Sequence, residues 1–540
     1  MISVSCKGKS GYELGLGHFI RTYGPILSKN SPVGLVYGGG DRTGKFNVIV
    51  NEDSRYRDFE DMVRCALKIS GSLSDLEKVD GSLDSVPFIS ADEDSVTISL
   101  DVFSFVGRCL SGELERFWKN APESGGERIG KVPLIDACER MLFLTMLYAC
   151  EKLRLPFVCK SFWPGKRFAV CLTHDVDEVK KTYQWITRPV AYLRRGQAGL
   201  LKGQLVSLWH RLRGKEPFWT FDGIMELEER LGARSSFYFL NEKGKADILS
   251  PDTWKLLGRR YDFNNPQVKG VMKKLYDGGW EVGLHGSYDS YRDFEMLERE
   301  KKMLQESLGN KVTGIRQHHL NLELPQTWEY HDRAGLKYDT TLGFKDRMGF
   351  RGGTCLPFHP VSGQGTLNLL EIPLAIMDTP LFGYKKDRLH ADLEEMTDAV
   401  SGFGGVLTLL WHHAVFNENE YPGWGEAYGR LIELCRRRSA WITYGKELSD
   451  WWIWRERANF DLEYERNCLV IAPHRRGDRY FLSVYLPEGM GIKNILNAEV
   501  VDTCRGIHTI RTDKLKNDER VRIEFVEMGY GNRSENSWRQ

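Results

Sequence analysis

From Phe168 to Trp411 short apolar runs alternate with amphipathic stretches. The runs are FAVCLT (168–173), SSFYFL (235–240), WEVGL (280–284), VTGIR (312–316), LNLLEIPL (367–374) and VLTLLW (406–411). Between them the helical period predicts helices near Phe221–Leu231, Pro266–Asp277, Tyr291–Leu308 and Gln326–Ala334. The third places Phe294, Leu297, Leu304 and Leu308 on one face, and Gly309 stops it. Strand–helix alternation of this length predicts a parallel sheet, open or closed into a barrel.

The flanks follow other rhythms. Residues 1–164 mix the strand-like runs VGLVYG, FNVIVN and SVTISL with helices expected over Tyr56–Leu67 and Leu134–Leu153, which reads as a separate α/β domain. After about Phe460, YFLSVYL and VRIEFV alternate with the two-residue period of half-buried strands, so 456–530 reads as a small β domain, a sandwich in outline. The polar tail 531–540 is expected to fray. In the first domain GGDRTGKF (39–46) nearly spells a phosphate-binding loop, but Phe46 stands where Ser or Thr would hold magnesium. A glycine-rich turn between two strands explains the segment with fewer assumptions.

The central region, 165–455, carries an insertion at 179–217. Between Glu178 and Glu216 it has nine Lys or Arg and no acidic residue, and Leu201, Leu205, Leu208 and Leu212 recur at helical spacing. One reading is a helical hairpin that packs its apolar stripe on the barrel and leaves its charges in water. The other is a lid over an anionic, nucleotide- or lipid-linked substrate, or a peripheral membrane contact. Common behaviour of basic helices favours the first.

Composition narrows the class. A formal net charge of +1 over 540 residues gives no whole-molecule field for nucleic acid. The eleven cysteines occur singly, without CxxC spacing, which argues against a disulfide scaffold or a thiolate metal finger. The first residues lack the long apolar core of a signal peptide. Met141–Cys150, the most apolar stretch, is about half the length that spans a bilayer and is bracketed by charges, as a buried helix would be. A cytoplasmic enzyme or binding protein is expected.

Chemistry-bearing residues collect where the apolar runs end. His174, Asp175 and Asp177 follow the first; His285 the WEVGL run; Arg316, His318 and His319 the VTGIR run; then come Asp339, and His412 with His413. A lone histidine is more often structural, and an Asp after a strand is often a helix cap. Five strand ends that deliver Asp, His or Arg point instead to one site at the C-terminal edge of the sheet. Asp and His donors without thiolates suit a divalent ion with a position left for water.

The motifs THDVD (173–177), LHGSY (284–288), RQHH (316–319), YDTTLG (338–343) and LLWHH (409–413) resemble, in order, the five motifs of the polysaccharide deacetylase superfamily, the NodB-homology or carbohydrate esterase family 4 group. The branch with a THDVD first motif is the most similar. The resemblance spans roughly Lys166 to Trp452. It implies an irregular β/α barrel and metal-dependent removal of N- or O-acetyl groups from a sugar or glycan, in surface polysaccharide biosynthesis. It also implies a divalent metal, zinc first, with cobalt, nickel or manganese as substitutes. By position, Asp175 matches the catalytic base, Asp177 a metal ligand, His285 the first metal histidine, and Arg316 the arginine that orients the base. His412 matches the general acid, and Asp339 the aspartate that partners it. The second metal histidine of the family falls here on Asp289. The third ligand is therefore Asp289 or His318, and imidazole keeps the usual ligand type. His319 and His174 stand in reserve. Sugar deformylation is the rival chemistry, and a catalytically silent glycan-binding protein the rival outside enzymes.

Overall fold

The computed structural model describes residues 2–7, 11–27, 31–52, 56, 58–76, 87–120, 130–242, 261–363, 365–381, 386–465, 467–475, 477–504, 506–516 and 519–528. The expected frayed tail lies outside them. The chain divides into two compact units: residues 1–167 with 352–356 and 451–540, and residues 168–351 with 357–450.

In the first unit, β1 (Ser3–Lys7), β2 (Val33–Gly38), β3 (Phe46–Val50), β4 (Ile89–Ala91) and β5 (Ser95–Ile98) form a sheet of order β1-β2-β3-β5-β4. Only β4 runs antiparallel to its neighbour. The glycine-rich segment 39–45 thus carries the chain back along β2 to start a parallel strand; it does not reverse it. Lys45 leads into β3 and not into a helix, so the phosphate-loop context is absent here. The helices expected near Tyr56 and Leu134 occupy Phe59–Leu76 and Leu134–Lys152. Asp136 on the latter accepts hydrogen bonds from Thr354 Oγ1 (2.6 Å) and Cys355 N–H (2.7 Å), which ties residues 352–356 into this unit. A further strand, β6 (Phe157–Lys160), leaves toward the C-terminal part.

The second unit is built on β7 (Phe168–Val176), β8 (Ser236–Leu240), β9 (Glu281–Gly286), β10 (Gly314–Gln317), β11 (Tyr338–Asp339), β12 (Val361–Ser362), β13 (Gly365–Thr366), β14 (Leu370–Glu371), β15 (Ile376–Met377), β16 (Val406–Leu410) and β17 (Ala440–Thr443). Its main sheet has the order β14-β11-β10-β9-β8-β7-β16-β15, and β17 also pairs with β7. Each of these pairs is parallel. This is the curled parallel sheet that the strand–helix alternation predicts. Every residue of β7, β8, β9 and β10 is buried, as expected for parallel strands covered on both faces. The covering helices include Pro266–Asp277, capped by the Asn265 side chain, which buries Val268, Val271, Met272 and Leu275. Phe294–Leu308 is capped by Asp293, buries Leu297 and Leu304, and ends at left-handed Gly309.

The insertion forms two helices, Gln184–Arg194 and Ala198–Leu212. Their apolar stripe does not pack inward. Leu205, Leu208 and Leu212 are exposed, and the residues buried on that helix are Gln204 and Ser207. Two contacts set this orientation. At Gly203 a Cβ would lie 1.9 Å from Asn419 O, so only glycine lets the helix seat this closely. Lys181 reaches Gln204 Oε1 (2.5 Å) and Glu420, and Arg188 pairs with the same Glu420.

The C-terminal strands β18 (Phe460–Glu465), β19 (Cys468–Pro473), β20 (Phe481–Tyr485), β21 (Met490–Leu496), β22 (Ala498–Cys504), β23 (Ile507–Thr512) and β24 (Val521–Glu527) return to the first unit. They make two four-stranded sheets, β18-β19-β24-β21 and β22-β23-β20-β6, whose buried sides share one core that includes Val158, Leu482, Ile510 and Ile523. β6 pairs antiparallel with β20. The segment read as a free-standing β domain therefore takes one strand from the N-terminal region, and the two flanks form one unit where the pattern suggested two.

Candidate active site

The C-terminal ends of β7, β8, β9, β10, β15 and β16 converge on one cluster. Asp175 lies near the end of β7 with its side chain buried. Arg316 on β10 is fully buried; its Nη1 donates to Asp175 Oδ1 (3.1 Å) and Thr173 Oγ1 (2.7 Å), and its Nε to Thr340 O (3.1 Å). The guanidinium thus fixes one carboxylate oxygen of Asp175. The other, Oδ2, stands 3.7 Å from His285 Nε2.

Asp177, His285 and His318 form the only group of metal-ligand type found among the described residues, with their donor atoms within 4.8 Å of one another. His285 Nε2 is 3.2 Å from Asp177 Oδ1, and His318 Nε2 is 3.8 Å from the same oxygen. Ligands about 2.1 Å from a tetrahedral ion stand about 3.4 Å apart, so both separations suit such a centre. The second contacts agree. His285 Nδ1–H donates to Arg316 O (2.9 Å), which turns the Nε2 lone pair toward Asp177. Glu242, just past β8, places a carboxylate oxygen 3.5 Å from His318 Nδ1. Asp177 Oδ1 is buried without a hydrogen-bond donor, an arrangement that a cation would satisfy. Burial works against the Asp177 charge, but His285, His318 and His412 outweigh it and hold the carboxyl well below its usual range. The residues present fit a divalent ion.

Asp289 is elsewhere. Its half-exposed carboxylate pairs with Arg292 Nη2 at 2.6 Å, outside the cluster.

His412 follows β16 with Nε2 facing Asp177 Oδ2 at 3.8 Å. Its Nδ1–H donates to Asp378 Oδ1 (2.7 Å), and its backbone N–H to Asp378 Oδ2 (2.8 Å). Burial opposes protonation of this ring, yet Asp378, then Asp177 and Asp175, push its pKa up to about 10. The partner expected from the motifs, Asp339, does not reach it. Asp339 accepts from Thr341 N–H (2.9 Å) and pairs with His331 Nδ1 (3.1 Å), one strand group away. Asp378 takes the place assigned to Asp339 because it ends β15, the strand beside β16, whereas Asp339 ends β11 on the far side of the sheet.

Of the reserve histidines, His174 has both ring nitrogens engaged away from the cluster, by Trp411 O (2.6 Å) and Glu228 Oε1 (2.9 Å). His319 adopts a left-handed backbone (φ 57°) and stacks on His318. His413 donates Nδ1–H to Asp175 O (3.2 Å), and burial pushes its pKa down to about 4. Glu242 and Asp378 are candidate site residues that motif matching missed, placed beside His318 and His412. Both are the first carboxylates after a buried strand, the signal that exposed the others.

No family model and no curated protein matches the chain. Solved structures do. A protein from Mycobacterium smegmatis assigned to the polysaccharide deacetylases covers 56% of this chain and 96% of its own at 16% identity, with a TM-score of 0.37. A peptidoglycan deacetylase from Bacillus subtilis is 10% identical over 54% of this chain and 96% of its own, with a TM-score of 0.27. A CE4-family pseudoenzyme from Bacillus anthracis is 11% identical over 53% and 67%, with a TM-score of 0.28.

Because Asp378 accepts from both the ring Nδ1 and the backbone N–H of His412, Asp378→Asn tests a positioning role. The variant is expected to slow release of a poor amine leaving group by roughly 10²–10⁴-fold, the range for loss of a positioned acid. Hydrolysis of an aryl acetate, whose leaving group needs no proton, should change far less. Equal losses on both substrates would mean that Asp378 only supports the fold.

Proposed function

We propose that this chain is a cytoplasmic, divalent-metal-dependent deacetylase that hydrolyses an acetyl group, N-linked first, on a sugar or glycan intermediate of surface polysaccharide biosynthesis. One observation carries the reading: an arginine-held carboxylate, an Asp–His–His cluster and a carboxylate-held histidine meet at one end of one parallel sheet. The acetylated carbohydrate comes from the resemblance of the ordered motifs.

Asp177, His285 and His318 would hold the cation, which when bound supplies an acidified water and polarisation of the acyl carbonyl. Asp175 keeps Oδ1 on Arg316, so Oδ2 is the oxygen that takes the proton from the attacking water. His412 presents Nε2 to the site while Asp378 holds Nδ1, so Nε2 is the atom that protonates the leaving nitrogen. Water adds its oxygen to the acyl carbon, the C–N bond breaks, and acetate and an amino sugar leave. Among the described residues no helix is long and apolar enough to cross a membrane.

The purified protein is expected to release acetate from an N-acetylated sugar, to lose that activity with a chelator and to regain it with zinc, cobalt or nickel. Formate released from an N-formylated sugar, with no acetate from the N-acetylated one, would make it a deformylase. Metal-loaded protein that is silent on every acetylated saccharide, yet binds glycans, would make it the binding protein.

A further inference from the structure

The helical hairpin of the insertion is amphipathic in the reverse sense. Its inner side is small and polar: Gly203, Gln204 (5% exposed) and Ser207 (0%) seat the second helix, with Lys181, Arg188 and Glu420 in a charged network beneath. Its outer side is apolar. Ile186 (61%), Val190 and Leu193 (65%) line one helix at spacings of four and three, and Leu205 (68%), Leu208 and Leu212 (80%) line the other at spacings of three and four. Eight of the fifteen exposed large hydrophobic side chains among the described residues fall within 186–212. Single exposed leucines need no explanation, but a concentration of this kind marks a contact surface.

Charge selects the occupant. Around the apolar face stand Arg194, Arg195, Lys202, Arg211, Arg213 and Lys215, all exposed, and residues 179–215 contain no acid. Trp209 sits among them with the Arg213 guanidinium over its ring at 3.7 Å. A second copy of this face would set cations against cations, which disfavours self-association. Leucine and tryptophan on one side of a helix pair, rimmed by exposed Lys and Arg with Arg211 paired to Glu216, match instead a helix that lies in the headgroup plane of an anionic bilayer. We propose that residues 184–215 form a peripheral docking surface for a membrane that carries anionic lipid. The hairpin leaves the sheet directly after Asp177, so docking would hold the strand end that carries the site at the lipid surface.

The test is co-sedimentation of the full-length protein with vesicles of phosphatidylcholine alone, or of phosphatidylcholine and phosphatidylglycerol in equal parts. The wild type should pellet with the anionic vesicles, weakly with the neutral ones, and less as salt is raised. Leu205→Ser/Leu208→Ser/Leu212→Ser changes only exposed positions, so it should keep the wild-type melting temperature and lose at least about ten-fold in partitioning. Asp175→Asn should bind as the wild type does, which separates this inference from the deacetylase reading. Wild type that stays in the supernatant with both vesicles, or a triple variant that binds equally well, overturns the proposal. If vesicles fail but the triple serine variant dissolves a complex with a protein, the face is a protein interface and the proposal also falls.

Discussion

Asp175→Asn is expected to reduce acetate release by about 10²–10⁴-fold while the protein keeps its full complement of metal. The amide nearly matches the carboxylate in shape, and its oxygen can still accept from Arg316 Nη1, which lies 3.1 Å from Oδ1 in the native pair. What it cannot do is take a proton at the second position, 3.7 Å from His285 Nε2. A larger change would confuse the result. Deleting the side chain would leave the fully buried Arg316 without its counter-charge, and removing one member of a buried pair costs about 3–5 kcal/mol. Even the amide leaves that guanidinium less compensated, so a modest fall in melting temperature should accompany the kinetic loss. Metal analysis, kcat/KM on an N-acetylated sugar and a thermal melt separate the three effects. Activity close to wild type would remove Asp175 as the base.

The parts of this protein that could be read from sequence are those where local pattern and burial agree. β7 and β8 carry continuous apolar runs because parallel strands are buried on both faces, and the helices that follow carry their periods with start and stop signals such as Asn265 and Gly309. The candidate site residues stand out by the same signal, since a run that must stay apolar shows plainly where it ends in Asp175 or His285. Pairing between strands was not legible. Asp339 and Asp378 are both carboxylates after a strand; which one meets His412 depends on β15, and not β11, being the neighbour of β16. The same limit explains β2 and β3, whose parallel register no turn composition reveals. The join of β6 to β20 links positions more than three hundred residues apart.

The insertion shows a different limit. Leu201, Leu205, Leu208 and Leu212 do form a helical stripe, and the usual inference turns such a stripe inward. Here the opposite side holds Gly203 against Asn419 O and Gln204 against Lys181, so the inner side is chosen by a close backbone contact and a polar network. A period gives the face of a helix. It does not say which face meets the protein.

The ligand assignment makes the second strong prediction, because the motif resemblance left Asp289 and His318 both open and the geometry separates them. His285→Ala and His318→Ala are each expected to bind metal about 10–100-fold more weakly or not at all, and to lose acetate release with it. Asp289→Ala should keep both, because that carboxylate faces Arg292 at 2.6 Å and not the cluster. Glu242→Gln belongs between them: it leaves the three donor atoms in place but removes the charge 3.5 Å from His318 Nδ1, so it should weaken metal binding without abolishing it. Metal content of the four variants beside the wild type, read by elemental analysis and by titration with zinc or cobalt, orders them directly. An Asp289→Ala protein that loses its metal while His318→Ala retains it would return the third ligand to the position the family motif marks. All four variants at wild-type metal content would mean that the Asp177–His285–His318 cluster is an internal polar network, and the metal-dependent reading would fall with it.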